Sequence, residues 1–99
     1  MLTKEEILQY LFENKELFKT KYNITKLGVF GSFARDEQTE DSDIDIIIEM
    51  DRNTEEIFEK KQELRNILKN KYHRKVDLCR ERSIKPIFKN FILNEAIYV

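Results

Sequence analysis

The sequence predicts an α/β (α+β) domain in which helices flank a small mixed β-sheet. Apolar residues recur at helical spacing in three segments, and three shorter segments show the alternation or the β-branched run that is typical of strands. The two kinds of segment alternate along the chain, which is the pattern of a layered fold of helices on a sheet. Because the chain has 99 residues, we expect one domain that spans residues 1–99.

The first predicted element is a helix that begins after Thr3. Thr3 and Glu6 have the spacing of a capping box, in which each side chain accepts a hydrogen bond from a free backbone N–H. The apolar pattern lapses in the middle of the segment, where Asn14 is a good N-cap, so a division into two helices is left open. The apolar positions are Ile7, Leu8, Leu11, Phe12, Leu17 and Phe18.

The centre of the chain predicts two strands joined by a short helix and a loop. The first strand covers residues 24–30 and ends abruptly at a Gly-Ser pair. A short helix is expected over residues 33–37, and residues 38–42 are expected to form a polar loop. The second strand covers residues 43–50 and contains a run of three isoleucines, which favours a buried strand.

A long helix and a third strand are predicted next. Asn53 and Glu56 repeat the capping-box spacing, so the helix is expected to begin there and to continue to about Tyr72. Acidic residues lie in its first turn and basic residues in its last turn, as the helix dipole favours. A short strand then covers residues 75–79. The apolar stripe of the helix comprises Ile57, Leu64, Ile67 and Leu68.

The last predicted elements are a helix and an edge strand. Ser83 is expected to cap the helix, because Pro86 then falls in the first turn, where proline is tolerated. Residues 97–99 are expected to add a small edge strand. The apolar face of the helix is expected to lie in the core, with a partner interface as the alternative if so small a core cannot cover it. This face comprises Ile87, Phe88, Phe91 and Ile92.

Charge is segregated along a chain whose total is nearly neutral. The sequence has 18 basic and 19 acidic residues, so no overall positive field gathers nucleic acid. Residues 36–56 hold ten acidic residues and one basic residue, whereas residues 69–89 hold eight basic residues and two acidic ones. Ordinary charged surface accounts for this pattern. The functional alternative is an acidic metal-binding pole beside a basic rim that meets phosphate or an acidic partner.

Composition also limits the class of protein and its compartment. The one cysteine, Cys79, excludes an internal disulfide and fits a reducing environment. The N-terminal stretch has no apolar segment of the secretory kind, and no apolar run reaches the length of a membrane span. His73, the one histidine, is expected to be a solvated or capping residue rather than a catalytic one. We therefore expect a cytoplasmic protein without membrane contact.

Aspartates in two of the predicted strands form a candidate metal site. Asp43 and Asp45 are two residues apart, so strand alternation places both carboxylates on one face of the sheet. Two carboxylates this close repel each other unless a cation lies between them, and hard oxygen ligands suit Mg²⁺. Asp77 falls on the same face if its strand is the neighbour of theirs. Three carboxylates can hold two metal ions for phosphoryl-type transfer.

A strand-to-helix turn upstream of the aspartates offers a binding site for phosphate. Gly31 lets the backbone turn sharply and approach a ligand closely, and the helix start that follows directs N–H groups at an anion. The Ser32 hydroxyl can donate to a phosphate oxygen, and Arg35 can contact a polyphosphate or pair with a nearby aspartate. Each feature is common by itself, but their spacing, strand context and faces agree with one metal–nucleotide site.

These motifs resemble the minimal nucleotidyltransferase family, which belongs to the DNA polymerase β-like nucleotidyltransferase superfamily. The resemblance covers nearly the whole chain, from the first helix through the final segment Glu95-Ala96-Ile97-Tyr98-Val99, and its core motif is highly specific. One position departs from the family pattern, which usually has Gly after the arginine where this chain has Asp36. The matching motif is Gly31-Ser32-x-Ala34-Arg35, ten residues between Ser32 and Asp43, Asp43-x-Asp45, and Asp77 in a later strand.

The resemblance implies the polymerase β-like nucleotidyltransferase fold and a set of site residues. It implies that Asp43, Asp45 and Asp77 are catalytic and bind Mg²⁺, with two ions expected. It also implies ATP as the substrate. The nucleotide-binding residues are expected to be Gly31, Ser32, Arg35 and Ser42.

The resemblance further implies a protein partner. Many members of the family are antitoxins encoded beside HEPN-domain ribonuclease toxins, and characterised members of this type transfer AMP from ATP to a toxin tyrosine. We therefore expect an adenylyltransferase antitoxin that forms a hetero-oligomer with a HEPN-domain toxin and does not contact nucleic acid directly. The alternatives are an antitoxin that acts by direct binding with a weak site, and a nucleotidyltransferase that acts on another acceptor. The chain itself lacks the Arg–His spacing of HEPN ribonucleases.

Overall fold

Four strands and four helices make up the fold, in a computed structural model that describes residues 1–99. The strands are β1 (Ile24–Phe30), β2 (Ile44–Met50), β3 (Val76–Arg80) and β4 (Ile97–Tyr98). The helices are α1 (Lys4–Tyr22), α2 (Gly31–Ala34), α3 (Ile57–Tyr72) and α4 (Pro86–Glu95), with a 3-10 turn at Glu81–Ser83. The predicted α/β class is confirmed. No helix is both long enough and apolar enough to cross a membrane.

The sheet is mixed, with the strand order β3-β2-β1-β4. β1 is antiparallel to both β2 and β4, whereas β2 and β3 are parallel. The parallel pair requires a crossover connection, which α3 supplies. The strand of Asp77 is therefore the direct neighbour of the strand of Asp45, as the candidate metal site requires.

The core lies between one face of the sheet and helices α1 and α3. The alternation predicted for β2 is confirmed, because Ile44, Ile46 and Ile48 are all fully buried on the core face. Asp45 and Glu49 alternate with them and are directed away from this core. The helices contribute Ile7, Leu11, Phe18, Tyr22, Leu64 and Leu68 to the core.

The first helix is continuous, so the division at Asn14 that the sequence left open does not occur. The Thr3 side chain accepts a hydrogen bond from the Glu6 N–H at 3.2 Å, which confirms the predicted cap. The Asn14 side chain donates to the Tyr10 carbonyl oxygen at 2.9 Å. The side chain of Asn14 therefore bonds within the helix instead of capping a second one, and the helix runs on to Tyr22.

The cap predicted for the long helix is wrong, because α3 begins at Ile57. The Asp51 side chain accepts a hydrogen bond from the Asn53 N–H at 3.0 Å, and the Thr54 N–H donates to the Asp51 carbonyl at 3.1 Å. This Asx-type turn occupies the segment in which the capping box was expected. The residue before the helix, Glu56, has a left-handed backbone with φ 55° and makes no side-chain cap.

The predicted environment of the last helix is also wrong. Ser83 belongs to the 3-10 turn and does not cap α4, which begins at Pro86. The helix makes its main contacts with α2 and β1, and these leave most of its apolar face uncovered. Ile87, Phe88 and Phe91 are therefore 82%, 54% and 63% exposed. A core of this size cannot enclose a third long helix. The alternative given for this case was that the apolar face of α4 forms a partner interface.

The edge strand explains why residue 28 is a glycine. The predicted strand at the C-terminus is confirmed as β4, whose Tyr98 lies opposite Gly28 of β1. A Cβ atom at Gly28 would stand 2.6 Å from the Ile97 carbonyl oxygen. Glycine is therefore required for β4 to approach β1, and this approach places the end of α4 beside the end of β1.

Candidate active site

The candidate site lies where β1, β2 and β3 run side by side. Asp45 is opposite Phe30 of β1 on one side and opposite Asp77 of β3 on the other. Gly31 follows Phe30 directly. The order across the sheet is therefore the Gly31 turn, Asp45 and then Asp77, so the structure brings together the two halves of the site that the sequence predicts.

Gly31 is required at the turn for two reasons. Its φ is +73°, in the left-handed region that favours glycine, and a Cβ atom there would overlap the Asp45 carboxylate. The helix begins at Gly31 itself, two residues earlier than predicted, so the turn is tighter than the sequence indicates. The Asp45 side chain thus lies directly against the backbone of the turn that was predicted to receive phosphate.

Asp45 and Asp77 form a pair of carboxylates that repel each other. Burial raises the pKa of Asp45 from 3.8 to about 6, and the neighbouring Asp77 and Asp43 charges act in the same direction. Glu49 lies four residues along the same face of β2 and behaves in the opposite way. Burial acts to raise its pKa, but hydrogen bonds from the backbone and from two arginines lower that pKa to about 2. The charge of Glu49 is thus compensated within the chain, whereas the charge of Asp45 is not.

Asp43 lies beside this pair rather than within it. It precedes the first residue of β2, and its carboxylate is 3.8 Å from the Lys75 ammonium group. No three His, Cys, Asp or Glu side chains are grouped closely enough to hold a metal ion. The expected convergence of three carboxylates is therefore present only as the Asp45–Asp77 pair. This pair fits a divalent cation, because hard oxygen donors already lie together and no basic side chain forms a salt bridge with either carboxylate.

Glu95 is a residue of the site that the sequence analysis did not identify. Its Oε1 accepts a hydrogen bond from the Gly31 N–H at 3.0 Å, and its Oε2 accepts from the Arg35 Nη1 at 2.7 Å. A carboxylate thus occupies two of the groups that were predicted to bind phosphate. The register of the edge strand could have identified Glu95. Pairing Val29 with Ile97 in antiparallel strands brings residue 95 level with residue 31.

The remaining predicted nucleotide-binding residues surround this contact. Arg35 also lies 3.4 Å from the Glu37 carboxylate, so its guanidinium forms salt bridges with two acidic side chains. Ser32 is half-buried in the first turn of α2. The Ser42 hydroxyl accepts a hydrogen bond from the Thr39 N–H at 2.8 Å, so its oxygen is used within the loop before β2.

Arg74 is a second residue that the sequence analysis counted only as part of the basic segment. Its guanidinium donates to the carbonyl oxygens of Ser42 at 2.9 Å and Thr39 at 3.4 Å. It also lies 5.4 Å from the centre of the Phe33 ring. Arg74 therefore connects the loop before Asp43 to the strand of Asp77, and it positions the two carboxylate-bearing strands relative to each other.

Comparison with known proteins identifies relatives over almost the whole chain. The family model of the nucleotidyltransferase domain matches residues 11–99. A Methanocaldococcus jannaschii protein, provisionally named a protein adenylyltransferase, is 42% identical over 100 residues, covering 100% of both chains. The protein adenylyltransferase MntA of Thermococcus cleftensis is 34% identical over 99 residues, covering 100% of this chain and 98% of the relative.

Solved structures share the fold. One, provisionally described as a minimal nucleotidyltransferase, has a TM-score of 0.78 and 26% identity, covering 97% of this chain and 95% of the other. A crystal structure of a toxin–antitoxin with AMP-PNP has a TM-score of 0.67 and 23% identity, covering 98% of this chain and 72% of the other. At that identity the second likeness shows the fold alone. The predicted fold class is therefore confirmed by both topology and comparison.

Proposed function

This chain belongs to the nucleotidyltransferase domain family, and from that premise we propose that it transfers AMP from ATP to a tyrosine of a HEPN-domain toxin. The observation that carries the proposal is the Gly31 turn against the Asp45–Asp77 pair, which joins an anion-binding turn to a carboxylate site. The relatives named protein adenylyltransferases support a protein acceptor. The toxin–antitoxin structure with the same fold supports a toxin as that acceptor. The proposed setting is the cytoplasm.

One set of residues is proposed to bind the triphosphate of ATP, and a second set the Mg²⁺ ion. The Gly31 N–H, the Ser32 hydroxyl and the Arg35 guanidinium bind the triphosphate, which requires Glu95 to release or share its two contacts. Asp45 and Asp77 would hold Mg²⁺, and Asp43 would join them by leaving Lys75. When bound, Mg²⁺ neutralises the charge that develops on the phosphate oxygens.

The transfer itself is an in-line displacement at the α-phosphorus. The acceptor tyrosine oxygen forms a bond to the α-phosphorus, and the bond from that phosphorus to the bridging oxygen of the β-phosphate breaks. Pyrophosphate leaves with the electron pair of the broken bond. Asp77 accepts the proton of the tyrosine hydroxyl, because it is the exposed member of the carboxylate pair.

The test is label transfer from ATP to a HEPN-domain toxin, sought in the reading frame adjacent to this gene. The chain is incubated with that toxin, Mg²⁺ and ATP labelled at the α-phosphate, and labelled toxin is measured on a gel. We expect label on the wild-type toxin, none on a toxin whose acceptor tyrosine is phenylalanine, and none with the Asp43→Ala/Asp45→Ala double variant. Absence of label with the wild-type pair, or full transfer by the double variant, contradicts the proposal.

A second candidate function is neutralisation by direct binding. Two observations favour it: Glu95 already occupies the Gly31 N–H and Arg35, and α4 carries an exposed apolar face. Under this alternative the toxin is silenced without chemistry. Toxin inhibition that is undiminished in the Asp43→Ala/Asp45→Ala double variant, measured as ribonuclease activity, would distinguish it from AMP transfer.

A further inference from the structure

A basic cavity opens on the side of Asp77 that faces away from the Gly31 turn. It has a volume of about 590 Å³ and lies between the last turns of α3 and the start of β3. Because β3 is an edge strand, no further strand covers this side of the sheet. Its charged lining consists of Arg65, Lys69, Arg74 and Lys75, with Asp77 as the one acidic residue.

The positive charge of the cavity is poorly compensated. Arg65 and Lys69 have no carboxylate within 4.0 Å, and the Arg65 guanidinium donates to the neutral side chain of Gln62 at 2.6 Å. Lys75 reaches only Asp43, at 3.8 Å. The partners of Arg74 are carbonyl oxygens. A concave surface with excess charge of one sign concentrates ligands of the opposite sign.

Stabilisation of the helix does not account for this cluster. A cation in the last turn of a helix interacts favourably with the helix dipole, and this explains Lys69. Arg65 lies about two turns before the end of α3, where the effect has decayed. Arg74 and Lys75 lie beyond the helix. Arg74 holds the loop before β2 and Lys75 contacts Asp43, so Arg65 is the cation of the cavity that neither the helix dipole nor a charged partner explains.

We propose that this cavity is the acceptor subsite and that it binds an acidic segment of the acceptor protein. The inference rests on the proposed function. If the triphosphate binds at the Gly31 turn, the acceptor reaches the site from the other side of the Asp45–Asp77 pair. The cavity is on that side, and Asp77, the proposed proton acceptor, forms part of its wall.

An acidic protein segment fits the surroundings better than a nucleic acid does. The cations are confined to one cavity of about 590 Å³, which matches a few side chains rather than a long phosphate backbone. The chain as a whole has a net charge of −1, and residues 36–56 beside the site carry ten acidic residues. A polyanion that extended beyond the cavity would be repelled by this acidic surface.

Binding of short peptides in the presence of MgATP tests the proposal. The probe is a fluorescent pentapeptide with a central tyrosine and two glutamates on each side, compared with the same peptide carrying glutamines. The variants are Lys69→Gln, the double variant Arg65→Gln/Lys69→Gln, and the control Lys71→Gln. Lys71 lies in the same last turn of α3 but contacts the Tyr10 ring at 4.5 Å and does not line the cavity.

We expect the acidic peptide to bind the wild-type chain at least about tenfold more tightly than the glutamine peptide, with an affinity that falls as salt is added. The double variant should lose about tenfold in affinity, Lys69→Gln about threefold, and Lys71→Gln less than about twofold. ATP affinity should be the same in all four proteins. Circular dichroism confirms that each variant is folded, and the neutral substitutions are chosen to preserve the helix.

Several outcomes would overturn the proposal. These are equal binding of the two peptides, unchanged binding by the double variant, an equal loss of ATP affinity, or tighter binding of a single-stranded oligonucleotide than of the acidic peptide. The result is separable from the proposed function. Charge-dependent peptide binding without AMP transfer to the toxin supports the cavity alone, whereas transfer that is insensitive to the double variant supports the chemistry alone.

Discussion

The two sides of the Asp45–Asp77 pair differ in how their ligand-binding groups are occupied. On the Gly31 side, the backbone N–H and Arg35 are both bound by Glu95, within 3.0 Å and 2.7 Å. On the cavity side, Arg65 and Lys69 have no carboxylate partner. A ligand on the first side must therefore replace an existing contact, whereas a ligand on the second side meets free charge. Binding should be governed by displacement on one side and by long-range, salt-sensitive attraction on the other.

The largest expected effect is on AMP transfer and comes from substitution of Asp77, which lies between the Gly31 side and the cavity side. Asp77→Asn should reduce AMP transfer by on the order of a hundredfold to a thousandfold, because it removes the side chain proposed to bind Mg²⁺ and to accept the proton. The same change removes the one negative charge of the cavity, so binding of the acidic peptide should be unchanged or tighter. Label transfer and peptide fluorescence anisotropy measure the two quantities. A parallel loss of both would show that Asp77 supports the structure rather than the reaction.

Ionisation of Asp45, whose charge has no basic partner, should make the free energy of unfolding depend on pH. The carboxyl of Asp45 has its pKa raised from 3.8 to about 6, so it is protonated in the folded chain at pH values where the unfolded chain is ionised. In metal-free buffer, the free energy of unfolding of the wild type relative to Asp45→Asn should be highest below about pH 4 and should fall by about 2 to 3 kcal/mol as pH rises through about 6. Above about pH 7 the difference should stay constant.

Denaturant unfolding of the two proteins at several pH values provides the measurement. Because Asn keeps the shape of the side chain without its charge, the difference between the two curves isolates the ionisation of residue 45. Curves that run parallel from about pH 4 to pH 7 would mean that the carboxylate pair is already compensated. The contrast between the two sides would then lose its electrostatic basis.

On the Gly31 side, the prediction concerns Glu95, which occupies the groups proposed to bind the triphosphate. Glu95→Gln should increase the affinity for tripolyphosphate about tenfold, because a carboxylate no longer competes for the Gly31 N–H and Arg35. Glu37→Gln is the matched control, since Glu37 also contacts Arg35 but not Gly31. It should change the affinity by less than about twofold. Isothermal titration calorimetry measures both, and weaker binding by Glu95→Gln would identify Glu95 as a support of the turn instead of a competitor.

The smallest expected effect concerns the position at which the chain departs from the family pattern. Asp36 has φ 57°, so it adopts the left-handed conformation that a glycine would take, and its carboxylate pairs with Lys4 at 2.9 Å. Asp36→Gly relieves the backbone conformation but loses an exposed ion pair and adds freedom to the unfolded chain. The free energy of unfolding should therefore change by less than about 0.5 to 1 kcal/mol, and ATP affinity should stay the same. A large gain in ATP affinity would show that Asp36 opposes the triphosphate.

Local sequence patterns predicted most of the elements but not all of their ends. The cap at Thr3 was correct because a capping box needs only residues that are adjacent in the chain. The same pattern at Asn53 failed because Asp51, two residues earlier, forms a turn with that segment. The apolar stripe of α4 was expected in the core, but periodicity indicates only that residues share a face, not which neighbour covers that face.

The sequence by itself determined the strands, the long helices and the spacing that puts ten residues between the Gly31-Ser32 turn and Asp43. These depend on interactions between residues close in the chain, or on the fixed alternation of a strand. Only the tertiary structure decided that Glu95 binds Gly31, that Arg74 holds the loop before β2, and that Asp43 lies outside the Asp45–Asp77 pair. Each of these contacts joins segments about thirty or more residues apart. Their geometry depends on strand register, because a shift of a single residue would turn every side chain to the other face of the sheet.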